Sequence, residues 1–256
     1  MENAVLIQSL IVAGIIGIAS GAIGAFIILR RMALVGDALS HVALPGIALA
    51  LIYKIDPFWG VLVFLLGAAL LIWWLEGKTK LPTEAIVGLL FTTSLAIGVM
   101  LIPDIELIES LFGAFPKLSL FEFIFILVFA SASVVCVFLL TKKFLFSVAS
   151  PELFQLDDPK RRVQLLLLII FSFTVALGIK LLGALLMGAL TIIPAAIAKN
   201  MVRSATGYII ASILLGGGIA LSGFLIAFYY GFLPGPTIIL FGVAVFLLSL
   251  VVKRRS

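Results

Sequence analysis

Residues 4–29 read AVLIQSLIVAGIIGIASGAIGAFIIL and carry no charge. A helix rises about 1.5 Å per residue, so this run exceeds the roughly 20 residues that cross the hydrocarbon core of a bilayer. It is also longer than the apolar region of a cleaved signal, and Met1-Glu2-Asn3 lacks the basic residues that precede one. The stretch predicts a first membrane helix.

The rest of the chain has the same character. Of 256 residues 64% are hydrophobic, against about 45–50% in soluble domains, and 11% are charged, against about a quarter. The mean hydropathy is +1.36. A soluble enzyme is excluded, and roughly ten spans would use up the chain. Any chemistry must occur in the membrane or on a partner. Apolar runs bounded by charges, prolines and glycines predict spans at 4–29, 33–53, 58–75, 84–102, 121–141, 163–179, 183–198, 207–228 and 236–252. Between Val163 and Ala198 the only charge is Lys180, so this stretch reads either as two short helices or as one bent helix. The expectation is therefore an all-α polytopic membrane protein with eight or nine spans.

The formal charge of +5 reports orientation rather than nucleic acid, because no basic tract is long enough to hold a polynucleotide. With nine alternating spans and a cytoplasmic Lys253-Arg254-Arg255, 14 basic residues fall inside, and only Lys54, Lys117 and Lys180 fall outside. The outer side collects Glu2, Asp56, Asp104, Glu106, Glu109 and Glu122. This split predicts an external N-terminus. The single cysteine, Cys136, allows no intramolecular disulfide and no cysteine metal cluster. Gly14, Gly17, Gly21 and Gly24 lie near one face of the first span and predict a close helix contact; Gly216-Gly217-Gly218 and a Pro234-Gly235-Pro236 turn are likewise structural.

The longest cytoplasmic connection contains Ser150-Pro151-Glu152-Leu153-Phe154-Gln155-Leu156-Asp157-Asp158-Pro159. Serine as N-cap, proline at the first helical position and an acid in the first turn predict a short surface helix at about 150–157. It is either an interfacial connector or a docking element for a soluble partner.

Asp37 is the one acid deep in a predicted span, and His41, the only histidine, follows four residues later. That spacing places both on one helix face. Counted from Arg31, they sit roughly 9 Å and 15 Å into the membrane, where ionisable groups are costly and mark function. Carboxylate and imidazole suit a divalent first-row metal ion. Two ligands do not close a site; a twofold copy or water would have to complete it. A structural hydrogen bond and a proton relay are the other readings. Pro45 and Pro194 interrupt the second and seventh spans and free backbone carbonyls, as helices lining a cavity do.

Three catalytic readings fail. Glu76-Gly77-Lys78-Thr79 ends like a phosphate loop, but the glycine needed five positions before Gly77 is Ile72. There is no second histidine for HExxH and no GxSxG.

The stretch Arg30-Arg31-Met32-Ala33-Leu34-Val35-Gly36-Asp37-Ala38-Leu39-Ser40-His41-Val42-Ala43-Leu44-Pro45-Gly46 resembles the signature of the membrane permease subunits of ABC-type manganese, zinc and iron importers. A second stretch, Gly183-Ala184-Leu185-Leu186-Met187-Gly188-Ala189-Leu190-Thr191-Ile192-Ile193-Pro194-Ala195-Ala196, is similar to that family's seventh span. The resemblance covers nearly the whole chain. It implies a type II ABC importer-like fold, a single permease domain over 1–256, homodimerisation, and two copies of a cytoplasmic ABC ATPase that binds the ATP. It also implies an extracellular or periplasmic metal-binding protein and a multi-pass place in the plasma or bacterial inner membrane. Asp37 and His41 match the family's metal-contacting positions; no cofactor is held permanently, and the divalent metal, zinc or manganese with iron as a third candidate, is the cargo. Ser150, Pro151, Glu152, Leu153, Phe154 and Leu156 match its coupling helix. Rival readings are a permease for chelated metal, which lacks the Asp-x-x-x-His pair, an ion-coupled secondary transporter or channel using Asp37 and His41 as a proton relay, and a membrane anchor, which leaves the pair unexplained.

Overall fold

The computed structural model describes residues 2–79, 81–101, 111–113, 118–149 and 159–253. Among them are nine helices and no strand: α1 (Glu2–Leu29), α2 (Ala33–Ile52), α3 (Pro57–Lys78), α4 (Thr83–Leu101), α5 (Leu120–Ala149), α6 (Pro159–Leu182), α7 (Ala184–Met201), α8 (Ala205–Tyr230) and α9 (Pro234–Lys253). Each is long and apolar enough to cross a membrane. The expected surface helix at 150–157 lies outside the described residues.

Gly183 settles the count of eight or nine. Its φ of +79° belongs to the region that glycine enters without steric cost, and it separates α6 from α7. Two boundaries move relative to the apolar runs. α5 continues through Thr141-Lys142-Lys143 to Ala149, because a helix satisfies its own backbone and can run past the hydrocarbon. Pro234-Gly235-Pro236 forms no turn; it is the first turn of α9, where proline's missing N–H costs nothing.

Short connections end the early helices by backbone chemistry. After α1, Met32 N–H donates to the Ile27 carbonyl (2.9 Å) and Arg31 N–H to the Ile28 carbonyl (3.1 Å), with Arg31 at φ +59°. After α2, Ile55 N–H donates to the Ala50 carbonyl (2.9 Å), with Lys54 at φ +56°. Both are left-handed caps of the Schellman kind. Asp56 then caps α3, its Oδ1 accepting from Phe58 N–H at 2.8 Å, with Pro57 in the first helical position.

Hydrocarbon supplies no hydrophobic drive between helices, so close backbone approach and dispersion must hold the bundle. The α1 glycines serve this purpose as expected. A Cβ on Gly17 would meet the Gly216 carbonyl, one on Gly21 the Ser212 carbonyl, and one on Gly24 the Thr191 carbonyl. Thus α1 is seated against α8 and α7, with α5 and α6 also packed on it. α2 is enclosed by α3, α4 and α7, and Gly46 of α2 meets Gly60 of α3 backbone to backbone. α4, α5 and α9 turn large apolar side chains outward, among them Met100, Leu139 and Leu247, as a lipid-facing surface requires. Tyr53, Trp59, Tyr229 and Tyr230 are exposed at helix ends, where amphipathic rings favour the headgroup region.

Candidate metal pathway on the second helix

α2 has twenty residues, of which His41 is the ninth, so the imidazole lies close to the middle of the span. His41 Nε2 stands 4.0 Å from Asp37 Oδ1 on the same helix. That separation is too long for a hydrogen bond, so the pair does not tie helices together. His41 is almost fully enclosed, with 11% of its side chain exposed, while 48% of the Asp37 side chain remains open. The carboxylate is the accessible member and the imidazole the recessed one. His41 Nδ1 is buried without a hydrogen-bond partner.

Two residues not singled out in the sequence shape this pair. Phe91 of α4 meets His41 edge-on, with ring centroids 5.0 Å apart and planes at 85°. Gly188 of α7 lies against Asp37: a Cβ there would be 2.9 Å from Asp37 Oδ1, 3.1 Å from Asp37 Cα and 3.4 Å from Ser40 Oγ. Ser40 Oγ itself donates to the Gly36 carbonyl at 3.0 Å. Three elements therefore define the candidate site: α2 carries the carboxylate and the imidazole, α4 braces the imidazole, and α7 backs the carboxylate. Phe91 carried no sequence signal, and Gly188 was visible only as one residue of a quoted motif.

Pro45 and Pro194 are both buried within helices that continue past them. Pro45 has no N–H to offer the His41 carbonyl one turn earlier, so the proline alters the backbone at the imidazole itself. Among the described residues no third histidine, cysteine, aspartate or glutamate completes a cluster that could hold a metal ion. One chain thus presents a hard oxygen and a borderline nitrogen, a set that can contact a divalent ion but does not enclose it.

The ABC 3 transport family matches residues 2–253. The high-affinity zinc uptake system membrane protein ZnuB of Haemophilus influenzae is 26% identical over 257 residues, covering 98% of each chain. The manganese import system permease protein ScaB of Streptococcus gordonii is 31% identical over 254 residues, covering 97% of this chain and 91% of that one. PsaBC from Streptococcus pneumoniae in complex with Fab has a similar structure, with a TM-score of 0.83 and 30% identity over 94% of this chain and 89% of that chain. A membrane bundle with nine candidate spans among the described residues, matching along nearly its whole length, allows a direct conclusion: the chain belongs to the ABC 3 transport family and is a multi-pass membrane permease, not itself an enzyme.

Proposed function

We propose that this permease carries a divalent metal ion, zinc or manganese, into the cytoplasm as one half of a homodimer, with Asp37 and His41 as contacts for the ion in transit. The observation that carries the reading is the placement of an accessible carboxylate beside a recessed imidazole, its Nδ1 unpartnered, near the middle of a membrane span. Ionisable residues inside a membrane span are costly and mark function. The relatives point to the two metals by name, ZnuB to zinc and ScaB to manganese. Iron stays the third candidate, since imidazole suits it equally.

The two ligands of one chain leave the coordination shell open, which suits an ion that must be released. A second copy related by an axis along the membrane normal supplies a second carboxylate and imidazole. ATP is bound and hydrolysed on separate ABC subunits, and an extracellular or periplasmic binding protein delivers the metal. In this reading the N-terminus is external, the C-terminus is cytoplasmic, and 1–256 is one domain. The segment containing Ser150, Pro151, Glu152, Leu153, Phe154 and Leu156 docks on the ATPase.

The test is uptake of radiolabelled zinc and manganese by cells carrying the permease with its native partners. Wild type is compared with Asp37→Ala, His41→Ala and an ATPase-dead partner. Loss of uptake in all three supports the reading, and competition between the ions identifies the cargo. Full uptake by both substituted permeases at normal expression would falsify the metal-contact role. Uptake that ignores the ATPase and follows the proton gradient would replace the ABC mechanism with a secondary transporter.

A further inference from the structure

At the end of the bundle where α1 and α3 stop and α4 and α6 begin, one carboxylate joins four elements of the fold. Glu76, in the last turn of α3, accepts at Oε2 from Gln164 Nε2 of α6 (2.6 Å) and at Oε1 from Thr83 Oγ1 at the start of α4 (2.7 Å). Gln164 is buried, and it stands 88 residues from Glu76 in sequence. The Glu76 carboxylate also acts electrostatically on Arg30, the half-buried residue that opens the turn into α2. Burial lowers the Arg30 pKa from the ordinary guanidinium value, and the Glu76 charge opposes that shift. Hydrogen bonds to an ionised carboxylate are among the stronger side-chain contacts, more so where water is partly excluded.

Each of the three attachments leads to a different region of the metal pathway. Gln164 belongs to the opening turns of α6, the helix that follows directly on the 150–158 connection. Thr83 is the first residue of α4, and Phe91, eight residues and about 12 Å further along that helix, is the ring braced against His41. Arg30 leads through Arg31 and Met32 into α2, which carries Asp37 and His41. α6 itself makes little contact with α2, so the route by way of α3 is the direct one. Energetic coupling between distant sites is carried by packed side chains, hydrogen-bond networks and secondary elements, the kinds of contact that meet at Glu76.

We propose that Glu76 is a positioning residue for transport: it transmits displacement of the start of α6 to α2 and α4 and so couples the cytoplasmic side to the Asp37 and His41 pair. The proposal rests on the reading that this permease is driven by an ATPase at its cytoplasmic face. Glu76 touches no cargo; it acts through Gln164, Thr83 and Arg30. In the sequence it stands only as the first residue of a failed phosphate loop.

The test uses the permease reconstituted in lipid vesicles with its own ATPase and binding protein, with zinc and manganese as probes. Metal uptake and ATP hydrolysis are measured in the same vesicles. Gln164→Leu removes the amide from the carboxylate. The exchange Glu76→Gln with Gln164→Glu reverses the partners but restores an amide–carboxylate pair. Metal moved per ATP is expected to fall by at least about fivefold in Gln164→Leu, the lower end of typical coupling effects, and to return to within about twofold of wild type in the exchange. An unchanged ratio in Gln164→Leu overturns the proposal. So does a parallel loss of uptake and hydrolysis, the result a merely structural contact would give. An Asp37→Ala permease in the same experiment keeps the two readings apart: if it transports normally, the metal-contact assignment fails, while the ratio in Gln164→Leu still judges Glu76.

Discussion

Gly188 and Asp37 are packed so closely across the contact between α7 and α2 that a single added methyl group would lie 2.9 Å from the carboxylate oxygen and 3.1 Å from the Asp37 Cα. The absence of a side chain at position 188 therefore sets where the carboxylate stands. Gly188→Ala must either push α7 away from α2 or turn Asp37 aside. We expect zinc or manganese uptake at subsaturating concentration to fall about tenfold, equivalent to about 1.4 kcal/mol. Gly67→Ala is the control, because a Cβ there meets nothing within 4 Å. Equal uptake by the two variants would sink the idea that Gly188 positions the Asp37 carboxylate.

Phe91 fixes the recessed imidazole from the side. An edge-on aromatic pair contributes about 0.5–1.5 kcal/mol beyond its buried area, and losing it frees the His41 ring to turn away from Asp37. Phe91→Leu should raise the half-saturation concentration for metal uptake by about threefold to tenfold while leaving the amount of protein in the membrane unchanged. A half-saturation concentration equal to wild type would show that α2 orients the imidazole without help from α4.

The contact between α1 and α8 should be the least forgiving region of the bundle. A side chain on Gly21 runs into the Ser212 carbonyl, which is backbone and cannot rotate out of the way. Gly21→Val should lower stability by about 1–3 kcal/mol, the usual cost of overpacking. Gly218→Ala, where a Cβ would meet nothing within 4 Å, should cost nothing. Thermal unfolding of the two purified proteins in one detergent gives the comparison, and similar midpoints would contradict the packing argument.

Lys54 occupies a left-handed position at the end of α2 that most L residues avoid. Replacing it by glycine removes the clash between Cβ and the backbone, and the cap hydrogen bond from Ile55 to Ala50 stays in place. Lys54→Gly should stabilise the protein by about 0.5–1 kcal/mol, visible as a higher unfolding midpoint. A lower midpoint would mean that the lysine side chain contributes more than its backbone strain costs.

Much of this architecture can be read directly from the chain. Uncharged runs such as 4–29 place the spans because each helix satisfies its own backbone in lipid, so hydropathy alone locates it. Glycine spacing on α1 marks a contact face, and Asp37 with His41 stands out because two ionisable residues four apart are rare at that depth. These are local properties, carried by residues within a turn or two of each other. What covers the α1 face, namely Gly216, Ser212 and Thr191, is no such property.

Whether 163–198 bends or breaks was not local either. Gly183 permitted a break, and the backbone adopts one there, at φ +79° against Gly113 of a distant segment. The same limit applies to the site. Phe91, Gly188 and Gln164 are ordinary residues in their own helices and gain meaning only from the helix packed opposite. Composition and period determine that helices form and cross the membrane; which of them touch is decided by the close approach of backbones at small residues, and that depends on the whole bundle at once.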